Sequence, residues 1–349
     1  MGAYRCVNAG LKKNGEGYEV MIMRNVKRLI GLVAVVAVTA IAAAAVMLSR
    51  ETLPMAHTEF MMDTVCTVTL YDWDGSGDGI MDGVFDVCRE CDAALSVSVS
   101  TSDVYHINHS DGRPVIVSER TVALLERAET YAAASGGSFD VTVYPVRRLW
   151  DFSGGHDSVP SEEALAAAVK LVDYTKLKTD GTSVTLPKGM GIDLGAVAKG
   201  YAADRMAQYL KEHQVRSAVI DLGGNILVVG NKPDGSNWRV GIQRPFGDGN
   251  IDVVEVRDRA VVTSGVYQRY FEKNGVLYHH ILDPHSGKPC HTGLYSVTVI
   301  GENAEQCDAL STVCMLLGYD NAVKVLEHYP NVTAVFVTSE YEIRRCPSR

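Results

Sequence analysis

The chain has 349 residues, 46% of them hydrophobic, and a net charge of −9. That length and apolar share supply a sizeable core and exclude a largely disordered chain. The acidic balance, with no Lys/Arg-rich tract in the globular part, excludes the basic surface that DNA or RNA binding needs.

Residues 1–29 read as a cytoplasmic segment. It is polar and patternless before Met23, and Met21 or Met23 followed by Arg24-Asn25-Val26-Lys27-Arg28 offers a second place for translation to begin. Ile30 to Leu48 carries no charge and is long enough to cross a bilayer as a helix. The basic flank of Arg24, Lys27 and Arg28 predicts a cytoplasmic N-terminus and an exported body. The Ala-rich second half also fits the end of a cleaved signal sequence, but no sharp cleavage site stands out and an uncleaved anchor is the favoured reading. Residues 55–349 then follow as one domain, with no linker or repeat dividing them.

Beyond the apolar run stand Cys66, Cys88, Cys91, Cys290, Cys307, Cys314 and Cys346. An odd set in an exported body implies at least one free thiol or an intermolecular bond. Cys88-Arg89-Glu90-Cys91 has the spacing of a redox pair, yet it shares one helical face with Ile80, Val84 and Leu95. Buried, unreactive thiols are therefore expected. No His joins them at metal-ligand spacing, so zinc is not suggested.

Alternation from Met62 to Tyr71 predicts a half-buried strand, with Cys66, Val68 and Leu70 inward. The run Asp72–Gly79 is a turn-rich loop rather than a calcium loop, because the later ligand positions are apolar. Helices are predicted at Ile80–Leu95 and Thr121–Ala134, after an N-cap at Ser161, and at Ala196–His213, Ala304–Leu317 and Asn321–His328. Strands are predicted at Ser183–Leu186, Ser217–Leu222, Ile226–Val229, Trp238–Gln243, Val253–Arg257, Tyr278–Leu282, Ser296–Ile300 and Thr333–Val337. Strands that mostly succeed one another argue for an α+β fold with antiparallel pairing and against a Rossmann winding.

Within this pattern Gly191–Asp204 is the most informative stretch. A short buried strand ends at a Gly turn and enters a helix with Lys199 near its start, which is how a backbone presents free N–H groups to a phosphate-bearing ligand. An ordinary strand-to-helix corner with a solvated lysine would read the same way.

Ser135–Val143 with Leu149-Trp150, the Asp193–Asp204 run, Asp221–Asn225, Val262–Gly265, His280–Gly287 and Asp308–Thr312 follow in an order that resembles the ApbE family, the FAD:protein FMN transferases. The resemblance covers essentially all of the chain after the apolar run. It implies an α+β, T-fold-like architecture of mixed, mainly antiparallel sheets with packed helices. It also implies an exported, magnesium-dependent enzyme that splits FAD, joins its FMN half through a phosphoester to a Thr or Ser of a target protein, and releases AMP. Implied acceptors are exported flavoproteins of electron-transfer chains with a Ser/Thr-Gly-Ala-Thr-like segment; this chain has none, so self-flavinylation is not expected.

The same resemblance assigns roles. Asp308 and Thr312, four apart on one face of a predicted helix, offer the hard oxygen donors that Mg²⁺ takes, and the backbone carbonyl of Ala196 is the implied third ligand. Lys199 and Asp193 match FAD-contacting positions, as do Ser138, Phe139 and Asp140, while Met62 and Ile281 match apolar contacts. Phe139 reads equally as a core anchor. His280 is the implied base for the acceptor hydroxyl; a lone strand His is otherwise a structural, hydrogen-bonded residue.

Three departures stand out: Asp63 where the family usually has Gly, Val266 where an acidic residue is common, and a loose match over Ser98–Asn108 without the aromatic that often stacks on flavin. Two competing functions remain at this stage, an FAD pyrophosphatase giving FMN and AMP, and a flavin-binding protein without turnover.

Overall fold

In a computed structural model of the chain, residues 53–152 and 158–347 are described. The apolar run at 30–48 and the alternative start lie outside them. The elements in chain order are β1 (Met55–Met61), β2 (Thr64–Asp72), α1 (Gly77–Leu95), α2 (Asp103–Asn108), β3 (Val115–Ile116), α3 (Glu119–Ala134), α4 (Tyr144–Arg147) and α5 (Glu162–Val169). Next come β4 (Lys178–Asp180), β5 (Ser183–Thr185), α6 (Ala198–Glu212), β6 (Ser217–Leu222), β7 (Asn225–Val229), β8 (Trp238–Gln243), β9 (Asn250–Val256), β10 (Ala260–Gly265), β11 (Tyr270–Lys273) and β12 (Val276–His279). The last are β13 (Leu294–Gly301), α7 (Ala304–Leu326), β14 (Thr333–Thr338) and β15 (Ile343–Cys346).

The main sheet runs in the order β1-β2-β6-β7-β10-β13-β14-β15. Every strand pair among the described residues is antiparallel, so the α+β architecture holds with no parallel component in its sheets. In β2, the alternation read from the sequence becomes the core face: Cys66, Val68 and Leu70 are fully buried. Helices α1, α3, α6 and α7 bury their apolar faces in that same core. The opposite face is covered by the β8–β9 hairpin, whose Trp238, Ile242, Val254 and Val256 pack on Val228, Val261 and Val335.

Several boundaries move for physical reasons. The predicted strand from Met62 begins at Thr64, because Met62 and Asp63 are the central residues of a two-residue hairpin turn, with φ of 52° and 58°. That left-handed backbone suits glycine and admits Asp, which accounts for Asp63 at a position where Gly is usual. Helix α1 starts at Gly77 rather than Ile80, since the Ser76 hydroxyl accepts from the Gly79 N–H and caps it. The predicted break between the helices Ala304–Leu317 and Asn321–His328 stands at Gly318, whose non-helical φ of 72° and ψ of 170° divide α7 into two stretches. The predicted strand Tyr278–Leu282 ends at His279, so His280 sits on a bend.

All seven cysteines among the described residues are free, and Cys88 and Cys91 are buried in the helix face as expected. The apolar α7 is long enough to cross a membrane, but it is the core helix of this sheet.

Candidate active site

The main sheet comes apart at its middle. β7 and β10 register at two positions only, Leu227↔Ala260 and Ile226↔Val261, whereas every neighbouring pair in the sheet runs further. The residues that would continue that ladder, Asn225, Thr263 and Ser264, instead line a cavity of about 1050 Å³. Helices α6 and α7 close its floor.

Their crossing fixes the site. A Cβ on Gly200 would lie 2.3 Å from the Ala304 carbonyl oxygen, so only glycine permits the two helices to approach this closely. Asp204 on α6 accepts from the Ala304 and Glu305 N–H groups at 2.8 and 2.9 Å, satisfying two of the free donors at the start of α7. One turn further along, Asp308 is buried, with Oδ2 accepting from the Gly200 N–H at 2.9 Å and Oδ1 from Asn225 Nδ2 at 3.0 Å. Burial raises its pKa, opposed by the Lys199 charge and by these two hydrogen bonds. The Asp308 carboxylate thus occupies the helix N-terminus at Gly200, the place the sequence suggested for a ligand phosphate.

A chain of hydroxyls sets the state of Thr312. Ser311 Oγ donates to the Asp308 carbonyl at 2.8 Å, so Ser264 must donate to Ser311 across 2.7 Å. With its one proton spent, Ser264 accepts from Thr312 Oγ1 at 3.2 Å. The lone pairs of Thr312 Oγ1 are left unspent, and each Asp308 oxygen carries a single hydrogen bond with acceptor capacity to spare. These two side chains and Ala196 line the same cavity. Their oxygen donors fit Mg²⁺, which takes few protein ligands and shares substrate phosphate. Among the described residues no three His, Cys, Asp or Glu side chains gather as a metal site, so the fit rests on one carboxylate with neutral oxygens.

Lys199 lines the cavity and its Nζ donates to the Gly195 carbonyl at 3.3 Å. Asp193 accepts from the Gly195 N–H at 2.8 Å and pairs with Arg147 at 3.4 Å. His280 lines the same cavity and donates from Nδ1 to the Arg269 carbonyl at 3.3 Å, which leaves Nε2 as the basic nitrogen. Burial, then the Arg269 charge, lowers its pKa to about 3, so the imidazole is neutral at physiological pH. Its neighbour His279 is buried in the opposite direction, against the Cys290 carbonyl at 2.9 Å.

Met62, Phe139, Asp140 and Ile281 also line the cavity, while Ser138 does not. Phe139 is buried edge-to-face with Tyr131, in keeping with a core anchor that shows one side to the cleft. Both oxygens of Asp140 are engaged, by the Thr142 N–H and hydroxyl at 2.7 Å each and by the Tyr174 N–H at 2.9 Å, so its carboxylate holds the loop around the cavity together. Sequence reasoning gave no role to Asn225 and Ser264, although both stood in quoted motifs, nor to Arg269. A buried Asn at a strand start was the signal for the first; nothing local marked Arg269, whose role comes from a backbone carbonyl. Val266 is buried and its N–H donates to the Tyr295 carbonyl at 2.9 Å, which suits an apolar residue there.

The ApbE family model matches residues 62–336, from Met62 to beyond Thr312, so every site residue described above lies inside the match. The chain belongs to the ApbE family. It is 36% identical over 310 residues to a FAD:protein FMN transferase of Treponema pallidum, covering 83% of this chain and 86% of that protein. A Klebsiella pneumoniae FAD:protein FMN transferase is 33% identical over 294 residues, covering 82% and 90%. Among solved structures, the ApbE protein of Thermotoga maritima superposes with a TM-score of 0.79 at 32% identity, covering 84% of this chain and 97% of that one. The flavinyl transferase ApbE of Pseudomonas stutzeri superposes with a TM-score of 0.74 at 32% identity, covering 83% and 92%.

Proposed function

We propose that this ApbE-family chain is a magnesium-dependent FAD:protein FMN transferase, joining FMN from FAD to a Thr or Ser hydroxyl of a flavoprotein and releasing AMP. The observation that carries the reading is one cavity lined both by oxygen donors, at Asp308 and Thr312, and by a neutral imidazole with a free Nε2, at His280. Asp308, Thr312 and the Ala196 carbonyl would hold the metal, which when bound neutralises the diphosphate and polarises the phosphorus. Lys199 adds positive potential in the same cavity. His280 Nε2 accepts the proton of the incoming hydroxyl, which is a weak nucleophile until a base assists it. Asn225 and Gly200 orient the Asp308 carboxylate, and Ser264 orients Thr312. Asp193, Phe139, Met62 and Ile281 shape the FAD channel, and Arg147 holds Asp193 in place.

We further propose that residues 30–48 anchor the enzyme with its catalytic body exported, supported by the uncharged run and its basic flank. The acceptors would be exported flavoproteins with a Ser/Thr-Gly-Ala-Thr-like segment.

Incubating the chain with FAD and Mg²⁺, with and without a peptide carrying Ser-Gly-Ala-Thr, tests the function. Covalent FMN on the peptide with AMP released is the expected result. Free FMN in both arms would make the protein a pyrophosphatase, and bound, unchanged FAD would make it a flavin carrier.

A further inference from the structure

Two histidines stand side by side in the chain, and the fold gives them opposite surroundings. His280 lines the cavity, whereas His279 does not and is 1% exposed. Three hydrogen bonds close a ring around the buried one. Its Nε2 donates to the Cys290 carbonyl at 2.9 Å, the Cys290 N–H donates to the Ile281 carbonyl at 3.0 Å, and the Ile281 N–H donates to His279 Nδ1 at 3.3 Å. A backbone N–H can only donate, so Nδ1 is the acceptor and the single proton of the neutral ring sits on Nε2. Burial lowers the pKa of this imidazole to about 4, in keeping with a ring that must stay neutral to accept at Nδ1. His280 has the reverse arrangement, with its proton on Nδ1 and Nε2 free.

The ring also accounts for the bend at His280. Tyr270 and His279 are the end pair of the β11–β12 ladder, after which the chain leaves the strand. The Ile281 N–H, which a continuing strand would aim at a neighbouring backbone, turns back to a side chain two residues earlier; when Asp or Asn supplies that acceptor, the same bond makes an Asx turn. Of residues 279–281 only His280 stands outside the ring, and its N–H and Nδ1–H both meet the Arg269 carbonyl, at 3.1 and 3.3 Å. The base is therefore held on one side by Arg269 and on the other by the imidazole next to it. Ile281, which the ring also fixes, lines the cavity.

We propose that His279 is a positioning residue for His280: by accepting the Ile281 N–H it makes the bend that turns His280 to the cavity. His279 touches no reacting atom and acts only through its neighbour. The inference rests on the transferase reading for the reaction that His280 assists, but the opposite tautomers it requires exist without any reaction.

Two substitutions in the full chain separate the two bonds of His279. His279→Phe keeps a ring and removes both bonds, whereas His279→Asn keeps an acceptor for the Ile281 N–H, as in an Asx turn, and is too short to reach the Cys290 carbonyl. Both leave that carbonyl without its donor and should melt at a lower temperature than the unaltered chain. Only His279→Phe is expected to lower kcat for FMN transfer in the folded fraction, by about tenfold to a hundredfold, the scale of a misplaced catalytic group. Added to His280→Ala it should cost nothing further, because the base through which it acts is gone. Equal losses of kcat in the Phe and Asn variants, or a loss that persists in the His280→Ala background, would overturn the proposal and leave His279 a role in the fold alone. ¹⁵N spectra of the imidazoles at neutral pH give a second readout. The unaltered chain should show both rings neutral, protonated on Nε2 in His279 and on Nδ1 in His280, and His279→Phe should cost His280 its single tautomer. One tautomer shared by both rings, or a His280 signal unmoved in His279→Phe, would also overturn the proposal. If the unaltered chain transfers no FMN, the transferase reading fails and these spectra alone decide the role of His279.

Discussion

At the scale of single residues, the site is built from partners more than from reactive groups. Asp308 is held by one backbone N–H and one amide, and Thr312 is left as an acceptor by a relay of hydroxyls. Asp308→Ala is expected to abolish turnover while the fold persists, with about 1–3 kcal/mol of stability lost because the Gly200 and Asn225 donors stay buried without an acceptor. Asp308→Asn should recover much of that stability and none of the activity, a split that denaturation and turnover measured together would reveal. For His280 the direction of the pKa shift gives a sharper expectation. Its charged form is disfavoured in the folded protein, so base function is present above the lowered value and lost only as pH falls towards about 3. The transfer rate should therefore run level through pH 6.5, the ordinary His value, instead of bending there. His280→Ala should slow transfer by about 10²–10⁴-fold with far less effect on FAD binding. A profile that turns down at the ordinary value would mean that the His280 imidazole is not held neutral by its burial.

At the scale of elements, the crossing of α6 and α7 decides where the charge lies. Gly200→Ala places a methyl group against the Ala304 carbonyl, where neither backbone can yield without moving Asp204 and Asp308. A loss of about 1–3 kcal/mol from overpacking is expected, together with a fall in activity larger than the fall in stability explains. Thermal melting beside turnover of the folded fraction checks this; full activity in a destabilised variant would mean that the crossing does not place Asp308. Long periodic elements were legible in the sequence because burial follows side-chain period: β6 and β8 stand at the predicted residues, and α3 begins two residues earlier, after its Ser118 cap. The edge strand β1 was not, since its polarity does not follow its burial: Phe60 is exposed while Glu59 is half-buried. Strand β10 was missed because its pairing comes from β7 and β13, distant in sequence, whereas β11 was missed through its four-residue length although Asn274-Gly275 marks a local hairpin turn. The bend that turns His280 out of its strand likewise comes from the Arg269 carbonyl, which no local pattern announces.

At the scale of the whole molecule, an eight-stranded antiparallel sheet acts as two halves that part where β7 meets β10. The parting creates the cavity, the helices behind it supply the oxygen donors, and the β11–β12 hairpin in front supplies the base. The residues of this arrangement were readable as ordered motifs, but their meeting was not. The Asp193–Lys199 run, His280 and Asp308 come from three separate segments of the chain and converge only through the sheet order. The central claim is that one divalent ion, between the Ala196 carbonyl, Asp308 and Thr312, grips the diphosphate of FAD. Anomalous diffraction from crystals soaked with Mn²⁺ and ADP, the half of FAD that carries the diphosphate, measures this directly. The account predicts a single metal peak touching all three protein oxygens and a phosphate oxygen, and lost in Asp308→Ala; a peak elsewhere, or diphosphate bound with no metal beside Asp308, would contradict it.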